Sequence, residues 1–551
     1  MKLFKQLNKS YVFLVLIPLY ACNFTTVYPE FNTWVPYDET ALLDSSQQND
    51  NVRLRYKRIQ SKTLDRNDLL QTIRLQLDDF TEDKYNKLSA YIYENSIQDI
   101  QSYIKLGVLT YKELTQWYLY SETDKNLSLN AIISVNPKAV ETAETLDHNT
   151  SATDHPIYGM PILLKDNINT ADMPTMAGAI ALQQHQPTED AQIVTNLKRH
   201  GAVILGKVNL SEWANFLCAG CPNGYSAIGG QTLNPYGMRR FDTGGSSSGS
   251  AVSVAVNFAV GAIGSETSGS ILSPASQQSL VGLKPTVTSS NQKGIIPISS
   301  TLDTPGPITR TVEDNAIIFS AMMTPSMEYQ DILGEDNASA LKLGAFQNYM
   351  KDSLYQHSIE MFRQNGVQIE IVEPPQMDFS GFLTLLNGDM KRDLKTYLNT
   401  YASDSVSVRS VQDVINFNSQ DSLLNMPYNQ SRLDGIVAQE LDDIELDSIR
   451  QKLIHSGKFY FDVMMDHNNL DAVLSVNNYN AGQAAVAKYP AITVPMGYTE
   501  EGEPKGITII AKSGQEELLL KIADFYEEVS KLRIPPEKFN IKLNIKNSQT
   551  K

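Results

Sequence analysis

Cysteine is scarce. Only three occur in 551 residues, too few for a disulfide framework, so stability has to come from a hydrophobic core. Two of them, Cys218 and Cys221, form one C-x-x-C pair. With no second pair there is no zinc ribbon, and with no thioredoxin-like unit around it there is no redox motif; a packed thiol pair or a local disulfide is left. Basic charge is also in short supply. Lys and Arg number 46 against 62 Asp and Glu, a formal net charge of -16, and like charge repels both a nucleic-acid backbone and an anionic membrane surface. Short basic groups such as Arg53–Arg58 and Met238–Arg240 therefore read as solvated surface. The apolar run near the N-terminus, Tyr11–Ala21 (YVFLVLIPLYA), is eleven residues long and broken by Pro18, too short to cross a hydrocarbon layer of about 30 Å as a helix. No internal repeat is present.

What is there is an ordinary globular composition, 42% hydrophobic and 20% charged, in a chain long enough for a large core. Lys2, Lys5 and Lys9 precede the apolar run, and it ends in Leu19-Tyr20-Ala21-Cys22. This resembles a bacterial export signal with a lipobox, so residues 1–22 are expected to be a signal peptide and Cys22 the lipidated N-terminus of an exported, envelope-anchored protein. Residues 23–80 are polar and rich in Asn, Gln, Asp and Ser, and read as a tether with one helix near Leu69–Leu77. Residues 81–535 are expected to form the main domain, and 536–551 a polar tail.

Within that domain, Tyr91–Tyr120 carries helical spacing, with Thr110 placed to cap a second helix. Short apolar runs at Tyr158–Leu164 and Ala202–Leu205 flank a helical Asp190–Arg199 and open a βαβ pattern. Further strands are expected at Gly261–Ser265, Leu341–Phe346, Val367–Val372, Ala472–Val476, Ala491–Met496 and Ile507–Ile510, and a final helix at Glu516–Val529. The pattern predicts an α/β fold, a sheet covered by helices. Residues 375–470 lack the alternation and read as a helical insertion that shapes a substrate cavity.

Two clusters of small residues stand out, Thr243–Ser250 (TGGSSSGS) and Gly264–Ser270 (GSETSGS). A flexible linker would not run straight into Ala251–Val260 (AVSVAVNFAV), whose packing should hold the loop still. Neither cluster has the Lys-Ser/Thr ending of a P-loop or the full G-x-G-x-x-G spacing. Gly245–Gly249 fits G-x-S-x-G formally, but Tyr236–Thr243 is no strand leading into an elbow, and Ser290–Lys293 has no companion motifs for a Ser-x-x-Lys enzyme.

These clusters do have company. Gly159–Ile168 (GMPILLKDNI), Gly201–Asn209 (GAVILGKVN), Pro274–Ser276, Val281–Thr286 (VGLKPT), Pro305–Asp314 (PGPITRTVED) and Pro490–Gly497 (PAITVPMG) stand with them in order. Together, over about 90–325 and 489–530, they resemble the amidase signature family of serine hydrolases. The resemblance implies a large mixed β-sheet sandwiched between layers of α-helices, hydrolysis of a small-molecule or peptide amide, no metal and no organic cofactor. By position it implies Ser270 as nucleophile, Ser246 as the proton-relaying serine after a cis peptide, and Lys165 as base. It also implies an oxyanion site made of the backbone N–H groups of Thr267, Ser268, Gly269 and Ser270. The chemistry is coherent: a hydroxyl attacks only when a base removes its proton, and a lysine serves if burial holds it neutral.

The second cluster departs from the family's Gly-Thr-Asp-x-Gly-Gly-Ser-x-Arg. Glu266 replaces the aspartate, Ser268 a glycine and Leu272 the arginine, while Ser248 stands where a glycine is usual. These changes predict weaker support of the nucleophile loop and motivate a second reading, a catalytically weak or inactive binding lipoprotein on the same fold. A third, an amidotransferase subunit acting with tRNA, conflicts with the export signal and the acidic charge.

Overall fold

The structure, a computed structural model, describes residues 28–149, 155–323, 340–440 and 442–541. The signal segment and Cys22 lie outside the described residues, as do residues 542–551 of the expected tail.

Thirteen strands are described: β1 Ile132–Val135, β2 Pro161–Lys165, β3 Val203–Val208, β4 Tyr225–Ser226, β5 Gly230–Gln231, β6 Gly261–Glu266, β7 Val281–Lys284, β8 Thr304–Thr309, β9 Lys342–Phe346, β10 Gln368–Val372, β11 Ala472–Val476, β12 Ala491–Tyr498 and β13 Pro504–Ile510. Eleven of them form one sheet in the order β1-β3-β2-β6-β8-β7-β12-β13-β11-β9-β10, and β4 pairs with β5 in a small ribbon. The sheet is mixed. β3, β2 and β6 run parallel, as do β11, β9 and β10, and the neighbours joining these blocks are antiparallel. Strands buried on both faces read as continuous apolar runs; all five residues of β2 and all six of β3 are buried.

The βαβ unit expected around residue 200 is β2, the helix Gln192–Arg199 and β3, paired in parallel. Thr110 caps the helix Tyr111–Leu129 and forms a capping box with Glu113, two reciprocal bonds that satisfy orphan backbone donors. β1, β4, β5, β7 and β8 fall outside the strands expected from the sequence. They are short or interrupted by Gly and Pro, as in Thr304-Pro305-Gly306-Pro307, which removes the local strand signal.

The expected tether needs correction. From residue 28 the chain packs on the domain: Leu54, Tyr56 and Ile59 form a buried cluster with Leu233, and Leu69, Ile73 and Leu77 join the main core. Arg66 is 2% exposed; its guanidinium donates to Asn130 Oδ1 at 2.6 Å, Gly229 O at 3.1 Å and Ile132 O at 3.3 Å. Other polar groups of the segment bond to the domain too, Arg53 Nη1 donating to Cys221 O at 3.0 Å and Ser61 Oγ to Ile228 O at 2.6 Å. The start of the expected tail is packed too, with Phe539 and Ile541 buried in the core. Between residues 382 and 468 the described elements are all helices, Phe382–Tyr401, Val411–Gln420, Ser422–Asn425, Ser431–Ala438 and Asp443–Asn468, and they share a core with the loops around Trp213 and Ile298.

Candidate active site

Parallel strands end on the same side, and ligands of α/β sheets gather beyond their carboxyl ends. β2 ends in Lys165 and its neighbour β6 in Ser265 and Glu266. The register brings the two ends together, so Lys165 Nζ lies 2.9 Å from both Ser265 O and Ser265 Oγ. A third contact comes from the other serine cluster: Ser246 Oγ is 2.7 Å from Lys165 Nζ.

The TGGSSSGS cluster holds Ser246 in place through its other small residues. The helix Ser248–Ala255 begins inside the cluster and is buried along its whole length, which fixes the loop against the core. Ser247 Oγ donates to Ser265 O and accepts from Ser265 N, both at 3.2 Å, and Ser247 N donates to Ser270 O at 3.1 Å. Ser211 N donates to Ser246 O at 3.1 Å. The Gly245–Ser246 peptide is cis. Gly244 has φ +67°, and a Cβ there would meet the Pro274 backbone at 2.6 Å, so neither the conformation nor the space admits a side chain.

Lys165 is fully buried and none of its three contacts is a carboxylate. Burial lowers its pKa from 10.5 to about 7, opposed by the charges of Asp303 and Glu266. A neutral amine has two N–H donors and one lone pair. Ser265 O can only accept, and giving the second N–H to Ser265 Oγ leaves the lone pair facing the Ser246 hydroxyl.

Ser270 is placed differently. It sits on the turn after β6, 8% exposed, and its hydroxyl has no protein partner among the described residues. Ser246 Oγ and Ser270 Oγ are not hydrogen-bonded to each other; the two loops are joined through Ser247, which bonds Ser265 and whose N–H donates to Ser270 O. Catalytic hydrogen bonds are commonly open without substrate. The backbone N–H groups of Ser268, Gly269 and Ser270 have no protein acceptor among the described residues. Thr267 Oγ1 donates to Asp303 Oδ1 at 2.5 Å, which anchors the start of the turn. Gly269 has φ +87° and lies against the Asn478 side chain.

The expected loss of loop support is corrected by Glu266. Its longer side chain carries Oε2 to Ile271 N at 2.7 Å and Leu272 N at 2.9 Å. These are the first N–H groups of the helix Leu272–Gln277, where a carboxylate is favoured. Leu272 needs no charged partner, since it is buried among Phe461, Val473, Ala484 and Ile510. Ser248 Oγ donates to Gly244 O at 2.6 Å, so this departure adds a bond to the first loop. Glu266→Leu leaves two buried N–H groups unpaired and is expected to cost about 3 kcal/mol, with Glu266→Gln within about 1 kcal/mol of wild type; urea denaturation of the three proteins measures both.

Three polar residues of the site were not singled out from the sequence. Asn167 Nδ2 donates to Ser265 Oγ at 3.0 Å. Ser265 takes bonds from both Lys165 and Asn167. Asp303 receives Thr267 and, on its other oxygen, Ile298 N and Ser299 N at 2.8 and 2.9 Å; burial raises its pKa to about 7. Cys218 and Cys221 form a disulfide, packed with Tyr225 and Tyr428. Among the described residues, no group of three or more His, Cys, Asp or Glu side chains is placed to hold a metal ion.

The family model named Amidase matches residues 113–426. A probable amidase of Arabidopsis thaliana is 34% identical over 475 residues, covering 81% of this chain and 92% of the relative. The chain belongs to the amidase family. Two solved structures share its fold. An amidase family protein of Bacillus anthracis superposes with a TM-score of 0.82 at 33% identity, covering 87% of this chain and 99% of that one. The peptide amidase of Stenotrophomonas maltophilia gives 0.76 at 34% identity, with 81% and 99% covered. This amidase is a hydrolase of carbon–nitrogen bonds in linear amides, built on the large mixed sheet and helical layers that its sequence implied.

Proposed function

We propose that this amidase cleaves a carboxamide through an acyl-Ser270 intermediate, releasing ammonia or an amine. The observation that carries the reading is the buried, uncompensated Lys165, 2.7 Å from Ser246 Oγ, with a pKa near neutrality. Lys165 draws the proton from Ser246, Ser246 draws that of Ser270, and the Ser270 alkoxide attacks the carbonyl carbon. The oxyanion is held by the backbone N–H groups of Thr267, Ser268, Gly269 and Ser270, donors worth about 3 to 4 kcal/mol each when preorganised. The relay returns the proton to the leaving nitrogen and the C–N bond breaks. Water then enters by the reverse sequence, giving up its proton as it attacks the ester, and the carboxylate leaves.

The inactive-binder reading rests on Glu266, Ser268 and Leu272; the bonds of Glu266 to the helix N-terminus and the apolar surroundings of Leu272 weigh against it at two of the three positions. A fluorophosphonate probe tests activity directly: it is expected to label wild type and not Ser270→Ala, and equal labelling of both proteins contradicts the assignment.

The N-terminal reading is also a proposal. The basic Lys2, Lys5 and Lys9, the short apolar run and Cys22 support export and lipid anchoring of the amidase at a bacterial envelope. Metabolic labelling with an alkyne fatty acid is expected to tag wild type and not Cys22→Ala; tagging of both contradicts it.

A further inference from the structure

The basic group Arg53–Arg58 reads from the sequence as solvated surface. In the structure it is a strap bonded to two distant parts of the chain. At one end Lys57 Nζ donates to Pro427 O at 2.9 Å, and Arg58 donates to Leu423 O and Leu424 O at 2.6 and 3.0 Å, so the strap holds the helical insertion. At the other end Arg53 Nη1 donates to Cys221 O at 3.0 Å and to Asn223 Oδ1 at 2.9 Å.

Asn223 leads from the strap to the catalytic centre. Its Nδ2 donates to the two oxygens of Asp242 at 3.1 and 3.0 Å, and Asp242 Oδ1 accepts from Gly244 N at 2.9 Å. Gly244 opens the turn that sets Ser246 against Lys165. The Asn223 amide also packs on that turn directly, since a Cβ on Gly245 would lie 2.6 Å from Asn223 Oδ1 and 2.8 Å from Ser211 Oγ. Ser211 Oγ accepts from Gly224 N at 2.9 Å, and Ser211 N donates to Ser246 O. Residues 223 and 224 therefore back the Ser246 turn along two paths, one through Asp242 and one through Ser211.

The first path depends on which way the Asn223 amide faces. Its carbonyl and amino ends have nearly the same shape, so their hydrogen-bond partners decide the orientation. A guanidinium can only donate and a carboxylate accepts, so Arg53 and Asp242 together point Oδ1 to the strap and Nδ2 to Asp242. Both bonds are charge-assisted, roughly twice as strong as neutral ones. Without Arg53, Oδ1 loses the one bond it accepts among the described residues, and the amide is free to turn away from Asp242.

We infer that Arg53 is a positioning residue for Ser246, acting through the Asn223 amide and the Asp242 carboxylate, and that the N-terminal strap is thereby part of the catalytic framework. The inference rests on the relay role proposed for Ser246. A proton relay works only at hydrogen-bond distance, and a misplacement of about 1 Å costs on the order of a hundredfold in rate.

The rate at which a fluorophosphonate probe labels Ser270 tests this without a known substrate. Arg53→Ala is expected to slow labelling about ten- to a hundredfold, the loss falling on the maximal rate and not on the probe concentration that gives half of it, because Arg53 acts on Ser246 and not on the probe. Guanidinium ion at millimolar concentration is expected to restore part of the rate to Arg53→Ala and none to Asn223→Ala. The double variant is expected to be no slower than the slower single one, as for two residues on one path. Arg55→Ala, on the same strap but with its guanidinium donating to Asn49 O, is expected to label as wild type does. Arg53→Met keeps the stem of the side chain and replaces Arg53→Ala if that variant does not fold. Labelling of the Arg53 variant within about twofold of wild type, or losses that multiply in the double variant, overturns the inference. Labelling of Ser246→Ala at the wild-type rate instead overturns the relay beneath it.

Discussion

Ser270→Ala is expected to lower kcat/KM for any amide substrate by about 10⁵ to 10⁶, leaving a small residual rate. The loss is that large because, in the proposed mechanism, the hydroxyl is the bond-forming atom and no neighbouring group replaces it. Ser246 is fully buried and committed to Lys165, while Ser247 is fully buried and bonded to Ser265. Neither presents a free hydroxyl to a substrate. The residual rate comes from the N–H groups of the turn, which the substitution leaves in place. Retained folding is expected, since the Ser270 side chain makes no bond among the described residues and its backbone oxygen still accepts from Ser247 N. Steady-state rates with a primary amide, beside a denaturation curve, measure both parts.

Lys165→Met is expected to lower kcat/KM by about 10² to 10⁴, the usual contribution of a positioned base, and to change the pH profile in a way that Ser270→Ala does not. In wild type the lysine must be neutral to accept a proton. Its pKa is held near 7 by burial, so below that value it is protonated and kcat/KM falls about tenfold per pH unit, while above about pH 8 the curve levels off. Methionine has nothing to titrate at this position, so the acid limb centred on pH 7 is expected to vanish from the residual activity. An acid limb that persists at the same midpoint assigns the titration to another group, with Asp303 next to be tested because its pKa is also raised to about 7. Glu266→Gln adds a check on sign. It removes a negative charge that favours the protonated lysine, so the midpoint is expected to move down, widening the active range toward acid.

The residues of the proposed catalytic centre were assigned through the family resemblance, and the clusters that carry it are conspicuous in the sequence because the constraint on them is local and dense. Clusters such as TGGSSSGS and GSETSGS are needed where two loops approach so closely that Ser247 bonds both Ser265 and Ser270 and a Cβ on Gly244 would strike Pro274. The strands carrying them were legible as apolar runs for the same reason that parallel strands are buried on both faces.

Contacts across large sequence separations were not legible. Asp303 reads as one acidic residue among many until β8 sets it beside Thr267. Arg66 looks like a solvated charge in a polar segment until three oxygens from residues 130, 132 and 229 surround it. Glu266 and Leu272 read as losses only beside the aspartate and arginine usual at those positions. In the fold they are independent solutions, one reaching a helix terminus and the other filling an apolar cluster.

The covalent step is tested most directly by trapping the acyl-enzyme. Rapid acid quench of wild type during turnover of a primary amide, followed by peptide mapping on a mass spectrometer, is expected to find the acyl group as an ester on the peptide containing Ser270. The same quench of Ser270→Ala is expected to find none. An acyl group on Ser246, or steady amide turnover by Ser270→Ala with no ester on any serine, would contradict the assignment of Ser270 as the nucleophile.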